Sequence, residues 1–159
     1  MLVAVSSLHP VTRQQVAQLR EQPSEQVKIM TATQAVNVSA AEAAVELADR
    51  VATELTTGHY LAAVLVGGDG AAAILRRVAA DRVVVDSMIS TGCPTGTVVG
   101  GPADGLRLIT KSGGFGQPDT LTRILDRLRS LTDIPAVHRP PSDAPPDHSP
   151  EPSQQTEAP

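Results

Sequence analysis

The stretch Leu61-Ala-Ala-Val-Leu-Val-Gly-Gly-Asp-Gly-Ala-Ala-Ala-Ile-Leu-Arg-Arg77 decides the fold class. Residues 61–66 are a continuous apolar run of strand length, the pattern of a strand buried on both faces. The run stops at Gly67, Gly68, Asp69 and Gly70, and residues 71–80 then have strong helix propensity. A buried strand, a glycine turn and a helix, in that order, form the unit from which parallel α/β sheets are assembled.

Toward the N-terminus the same order recurs. Residues 2–5 read as a short buried strand and Ser6-Ser7 as a polar loop, and Thr12 followed by Gln15 reads as a capping-box start of a helix to about residue 19. A second strand is expected over 27–31. Ser39 and Glu42 form another capping box, opening a helix whose Leu47, Val51 and Leu55 recur at four-residue spacing and so face a sheet. Toward the C-terminus, 82–86, 97–99 and 106–110 are strand candidates, separated by Thr91-Gly92-Cys93-Pro94 and Gly100-Gly101-Pro102. Then come Lys111-Ser-Gly-Gly-Phe-Gly116 and a helix from about residue 119, with Leu121, Ile124, Leu125, Leu128 and Leu131 on one face. The expectation is an α/β domain over 1–134, a three-layer fold with a mostly parallel sheet flanked by helices. Residues 135–159, dense in Pro, Ser, Asp and Glu, read as a disordered C-terminal tail that cannot bury enough surface to offset its ordering entropy.

Composition narrows the function. A chain of 159 residues with 41% hydrophobic content supports one core, so a single site is sought. The formal charge of −4 lacks the basic surplus that a nucleic-acid backbone demands. Cys93 is the only cysteine, which excludes an intrachain disulfide and a cysteine-based zinc site and fits a reducing cytoplasm. Residues 1–5 lack a basic leader, and no apolar run is long enough to span a bilayer, so no membrane role is expected. With Tyr60 and Phe115 the only aromatics, stacking on bases is not an available binding strategy.

Three polar or glycine-rich loops follow apolar strands: Ser6-Ser7, residues 67–70 and residues 111–116. In parallel strands they would open on one edge, where ligands of such sheets collect. Glycines let backbone amides converge on an anion, and a following helix adds the positive end of its dipole, an arrangement suited to phosphates. Lys111, Ser112, Gly113 and Gly114 add an ammonium and a hydroxyl. The competing reading is that glycines after strands are simply tight turns. Asp69 can hold Mg²⁺ or cap the next helix, and the cap is favoured; Asp119 is read as structural for the same reason. Cys93 has no identifiable His partner for nucleophilic catalysis, and His59, His138 and His148 show no metal-ligand spacing. No catalytic residue and no protein-only metal site is assigned. His9, in the first loop, is a possible ligand contact. Neither the P-loop nor the dinucleotide glycine pattern is complete, so pattern alone reaches an anion-binding α/β domain.

Leu106-Arg-Leu-Ile-Thr-Lys-Ser-Gly-Gly-Phe-Gly-Gln-Pro-Asp-Thr-Leu121 closely resembles the C-terminal signature of the four-carbon acid sugar kinase family, a Lys-Ser-Gly-(Gly/Asn)-Phe-Gly run before the last helix. Val5-Ser-Ser-Leu-His-Pro-Val-Thr-Arg-Gln-Gln15 is similar to its Gly-Ser…Pro-Val-Thr…Gln segment, and residues 67–70 to its Gly-Gly-(Glu/Asp)-Thr turn. The resemblance covers roughly residues 2–131. Against the family pattern, Ser6 stands for a glycine, Gly70 for a threonine, and the segment between the first two motifs is shorter. The resemblance implies an ATP site lined by Ser7, Gly67, Gly68, Asp69, Gly70 and Gly113 with its neighbours, and Mg²⁺ accompanying the nucleotide. It also implies phosphorylation of an acid sugar such as threonate or erythronate, with acceptor recognition in an N-terminal domain that has no counterpart here. Two expectations follow: an ATP-binding kinase part completed by a separate substrate-binding subunit, or a non-catalytic nucleotide-binding remnant or regulatory module.

Overall fold

The computed structural model describes residues 1–33 and 38–132; the expected tail lies outside them. Strands and helices alternate as β1 (Leu2–Val5), α1 (Pro10–Glu21), β2 (Lys28–Thr31), α2 (Ala40–Thr57), β3 (Ala62–Val66) and α3 (Gly68–Arg77), followed by β4 (Arg82–Ser90), β5 (Cys93–Val99), β6 (Arg107–Lys111) and α4 (Thr120–Thr132). They build one six-stranded sheet in the order β2-β1-β3-β6-β5-β4. The first four of these strands run parallel, and β5 and β4 close one edge antiparallel to their neighbours.

The alternation of side chains along the strands separates two cores. Leu2, Ala4, Ala63, Leu65 and Leu108 pack under α2 and α3, with Leu47, Val51 and Ile74. Val3, Val5, Val64, Val66 and Ile109 pack under α1 and α4, with Val16, Leu121, Ile124 and Leu128. All five residues of β3 are buried, as expected for a central strand covered on both faces. The three-layer, mostly parallel α/β architecture is therefore present.

Several local expectations change. The segment Cys93-Pro94 belongs to β5, and β4 extends to Ser90, so the two form a hairpin turning at Thr91-Gly92. Pro94 sits where the pairing with β4 shifts register, which accommodates a residue without an amide proton. The helix after β3 begins at Gly68, with Gly67 at its N-cap in a positive-φ conformation (φ 107°). Asp69 is thus inside the first turn and is not the cap. The Ser39–Glu42 capping box is present in both directions. Thr12 and Gln15 do not form one: α1 is capped by His9, whose Nδ1 accepts from the Val11 amide.

Candidate functional site

Order in the sheet locates the crevice. From β1 the chain crosses to β2 on one side, whereas from β3 it proceeds toward β6 on the other, so the connections diverge between β1 and β3. Such a reversal leaves an opening beyond the carboxyl ends of the strands. Because β1, β3 and β6 are parallel, the loops after Val5, Val66 and Lys111 all emerge at that edge, as the sequence leads one to expect.

The backbone ties these loops together. The Ser6 and Ser7 amides both approach the Val66 carbonyl, at 3.0 and 3.3 Å, and the Gly67 amide donates to the Lys111 carbonyl at 2.9 Å. The side chains complete the tie. Thr12 Oγ1 donates to the Gly113 carbonyl at 2.6 Å and lies 3.3 Å from Ser7 Oγ. Gln15 Nε2 donates to the carbonyls of Phe115 and Gln117 at 3.0 and 2.9 Å. Both residues are fully buried on the inward stripe of α1 that also carries Val16 and Leu19. Sequence reading missed them as site residues, although polar side chains on an apolar helix face were a usable signal, since buried polar groups need partners.

Each glycine has its own reason. A Cβ on Gly113 would lie 2.6 Å from Ser7 Cβ, so this loop touches the first one only because residue 113 has no side chain. Gly67 and Gly70 are crowded by the Ser6 side chain. A Cβ on Gly114 would lie 3.4 Å from His9 Nε2, so this glycine sits beside the His9 ring. Gly68 differs: a Cβ there would meet nothing within 4 Å, and the residue is exposed at the first position of α3. Nothing within the described residues demands a glycine there. Gly68 leaves open space over the first amides of α3.

Charge is arranged asymmetrically. The α3 N-terminus has no side-chain cap, so its first amides are free to take an anion. Exposed Asp69 in that turn is a carboxylate that can take part in holding a nucleotide-borne divalent cation. Among the described residues no group of three or more His, Cys, Asp or Glu side chains is placed to hold a metal by itself. Lys111 is 2% exposed, and its Nζ donates to the Ser112 carbonyl at 2.9 Å. That bond uses one of the three ammonium protons, so it is the burial of the side chain that keeps Lys111 from a direct contact with phosphate here. Burial lowers the Lys111 ammonium from its ordinary value and raises the neighbouring Cys93 thiol, which keeps Cys93 a poor nucleophile. Exposed Ser112 and half-buried Ser7 place hydroxyls on the edge, and a cavity of about 170 Å³ adjoins Ser7 between α1 and the ends of β1 and β2. Of the expected site residues, Ser7, Gly67, Ser112, Gly113 and Gly114 thus sit on the loops of one edge, Gly68, Asp69 and Gly70 form the first turn of α3 at the same edge, and Lys111 is packed at the root of its loop.

Comparison with known proteins gives the family and the fold. Residues 32–121 match the family described as the nucleotide-binding C-terminal domain. Over 80 residues the chain is 40% identical to a D-threonate kinase of Bordetella bronchiseptica, a match covering 50% of this chain and 20% of the kinase. A crystal structure of a Bordetella bronchiseptica protein with a domain of unknown function, holding citrate as a domain-swapped dimer, superimposes with a TM-score of 0.74 at 29% identity. That superposition covers 80% of this chain and 39% of the other. A Haemophilus influenzae protein shares the fold with a TM-score of 0.59 at 18% identity, over 79% of this chain and 39% of its own. The chain therefore spans about two fifths of the solved relatives it matches. Among the described residues, no helix is long and apolar enough to cross a membrane.

Proposed function

Because the chain belongs to the family of nucleotide-binding C-terminal domains of four-carbon acid sugar kinases, we propose that it binds ATP with Mg²⁺ where its three loops meet and is the ATP-binding part of a sugar-acid kinase. The observation that carries this reading is the convergence of three glycine- and serine-bearing loops on the sheet's crevice, beside an uncapped helix N-terminus at exposed Gly68. The amides of Gly68, Asp69 and Gly70 take phosphate oxygens with the help of the α3 dipole. The loop of Ser112, Gly113 and Gly114 faces them with further amides and a hydroxyl, and Ser7 completes the cradle. Asp69 would take part in holding a Mg²⁺ that arrives with the nucleotide, which would supply neutralisation of phosphate charge. Lys111 fixes the Ser112 carbonyl inward and so sets which way the loop amides point.

The acceptor comes from elsewhere. The relatives of this fold are more than twice as long as the matched region, which leaves room for a substrate-binding domain on another polypeptide or another part of a longer one. The acceptor class is a four-carbon acid sugar such as threonate or erythronate, by kinship with the D-threonate kinase. The test is to combine the chain with a polypeptide carrying the remaining part of such a kinase and to follow ADP release. ATP-dependent phosphorylation of D-threonate, seen only with both chains, is expected; a verified complex without transfer to any four-carbon acid sugar contradicts the kinase role.

A further inference from the structure

Ser6 and Gly70 lie far apart in sequence and occupy one place in space. A Cβ built on Gly70 would lie 2.2 Å from Ser6 Oγ and 2.3 Å from Ser6 Cβ, distances that real Cβ atoms do not show. One helical turn earlier, a Cβ on Gly67 would lie 2.4 Å from the same Oγ. The Ser6 hydroxymethyl group is therefore seated in a socket made by two glycines at the N-cap and third residue of α3. Its Oγ is 3.1 Å from the Val66 carbonyl, which the Ser6 and Ser7 amides also approach. A carbonyl offers two lone pairs. The Ser6 hydroxyl donates to that carbonyl as a third donor beside two amides, a shared bond for which an anion at the start of α3 can compete.

We propose that Ser6 and Gly70 are a matched pair in which Ser6 delivers, from the β1 loop, the hydroxyl that a side chain at position 70 would otherwise deliver from α3. Ser6 is then a positioning residue for the first turn of α3 and a hydroxyl donor to an anion bound there; the second role rests on the nucleotide-binding reading. The pairing also fixes how two substitutions combine, glycine for serine at position 6 and threonine for glycine at position 70. Either change alone would produce a clash or a hole, and together they conserve both volume and the hydroxyl.

A four-protein cycle tests the pair without any ligand: the unaltered chain, Ser6→Gly, Gly70→Thr, and the double variant Ser6→Gly/Gly70→Thr. Gly70→Thr alone should lower the melting temperature by about 5 °C or more, in line with overpacking of a fitted site. In the Ser6→Gly background the same substitution should cost less than about 1 °C or raise the melting temperature. Equal costs in both backgrounds would overturn the pairing. The hydroxyl role is read separately with Ser6→Ala, which keeps the Cβ in the socket. Its ligand-free melting temperature should stay near that of the unaltered chain while ATP–Mg²⁺ affinity falls about tenfold, and the double variant should recover most of that affinity. Unchanged affinity in Ser6→Ala would overturn the hydroxyl role. If the unaltered chain itself fails to bind nucleotide, the nucleotide-binding reading and the hydroxyl role fall together, and the ligand-free cycle still decides the pair.

Discussion

At the scale of single residues, the site is governed by what each side chain excludes. Gly113 and Ser7 share one contact, so the loops after β6 and β1 meet at the distance a missing Cβ allows. Lys111 acts in the opposite sense, as a full-length side chain packed inside with its ammonium on the Ser112 carbonyl. Burial lowers the pKa of that ammonium below the ordinary 10.5, so the unfolded chain holds this proton more tightly than the folded one. Stability from this group therefore rises with pH through the window between the lowered value and 10.5, and is reduced by a constant amount below it. Tyr60 works against this at the alkaline end: burial and Glu54 push its hydroxyl up to about 12, so its contribution is lost as pH rises through the folded value. Comparing Cys93→Ala with Cys93→Ala/Lys111→Met by urea unfolding across pH 7 to 10 isolates the lysine from the coupled thiol beside it. The double variant should lose the upward slope and equal or exceed Cys93→Ala in stability at pH 7, since a buried charge is replaced by an apolar chain of similar length. The same slope in both proteins would contradict this account of Lys111.

At the scale of elements, α1 is the clip that holds the site closed. Thr12 and Gln15 fasten the loop after β6 to the helix after β1 through three bonds to backbone carbonyls, across about a hundred residues of chain. Thr12→Val keeps the shape of the side chain and leaves the Gly113 carbonyl without this donor, which should cost about 1–3 kcal/mol in denaturant unfolding. It should also weaken nucleotide binding, because the loop amides lose their anchor. A variant with unchanged stability would show that the clip does not hold the loop. This element also shows what the sequence could convey. Strand runs and apolar helix stripes are local patterns, and β1, β3, α2 and α4 follow from them directly. The Ser39–Glu42 box was legible because its partners are three residues apart. Thr12 and Gln15 have the same spacing, yet their partners are on another element, and local spacing cannot distinguish a cap from a tertiary clip. The β4–β5 hairpin was hidden for a related reason: Pro94 reads as a breaker, and only the bulged pairing accommodates it within a strand. The clash between Ser6 and a side chain at 70 is likewise a property of the folded chain alone.

At the scale of the whole molecule, a mostly parallel sheet with its two layers of helices presents one edge where the connections diverge, and the three polar loops gather there because all three follow parallel strands. Family membership, the crevice and the uncapped α3 start converge on a nucleotide, and Gly68 offers the most direct way to ask whether one binds. Gly68 meets nothing within 4 Å, so Gly68→Asp can be introduced without a clash, and a carboxylate at the positive end of α3 should preserve or slightly raise ligand-free stability. The same carboxylate would stand where phosphate is proposed to sit. The decisive measurement is the melting temperature of the unaltered chain and of Gly68→Asp, each with and without ATP–Mg²⁺ at about a hundred times the dissociation constant, where binding stabilises by about 2.7 kcal/mol. The account predicts a clear rise for the unaltered chain and none for Gly68→Asp, with both melting alike when free of ligand; no rise in the unaltered chain at millimolar nucleotide, or an equal rise in both, would contradict it.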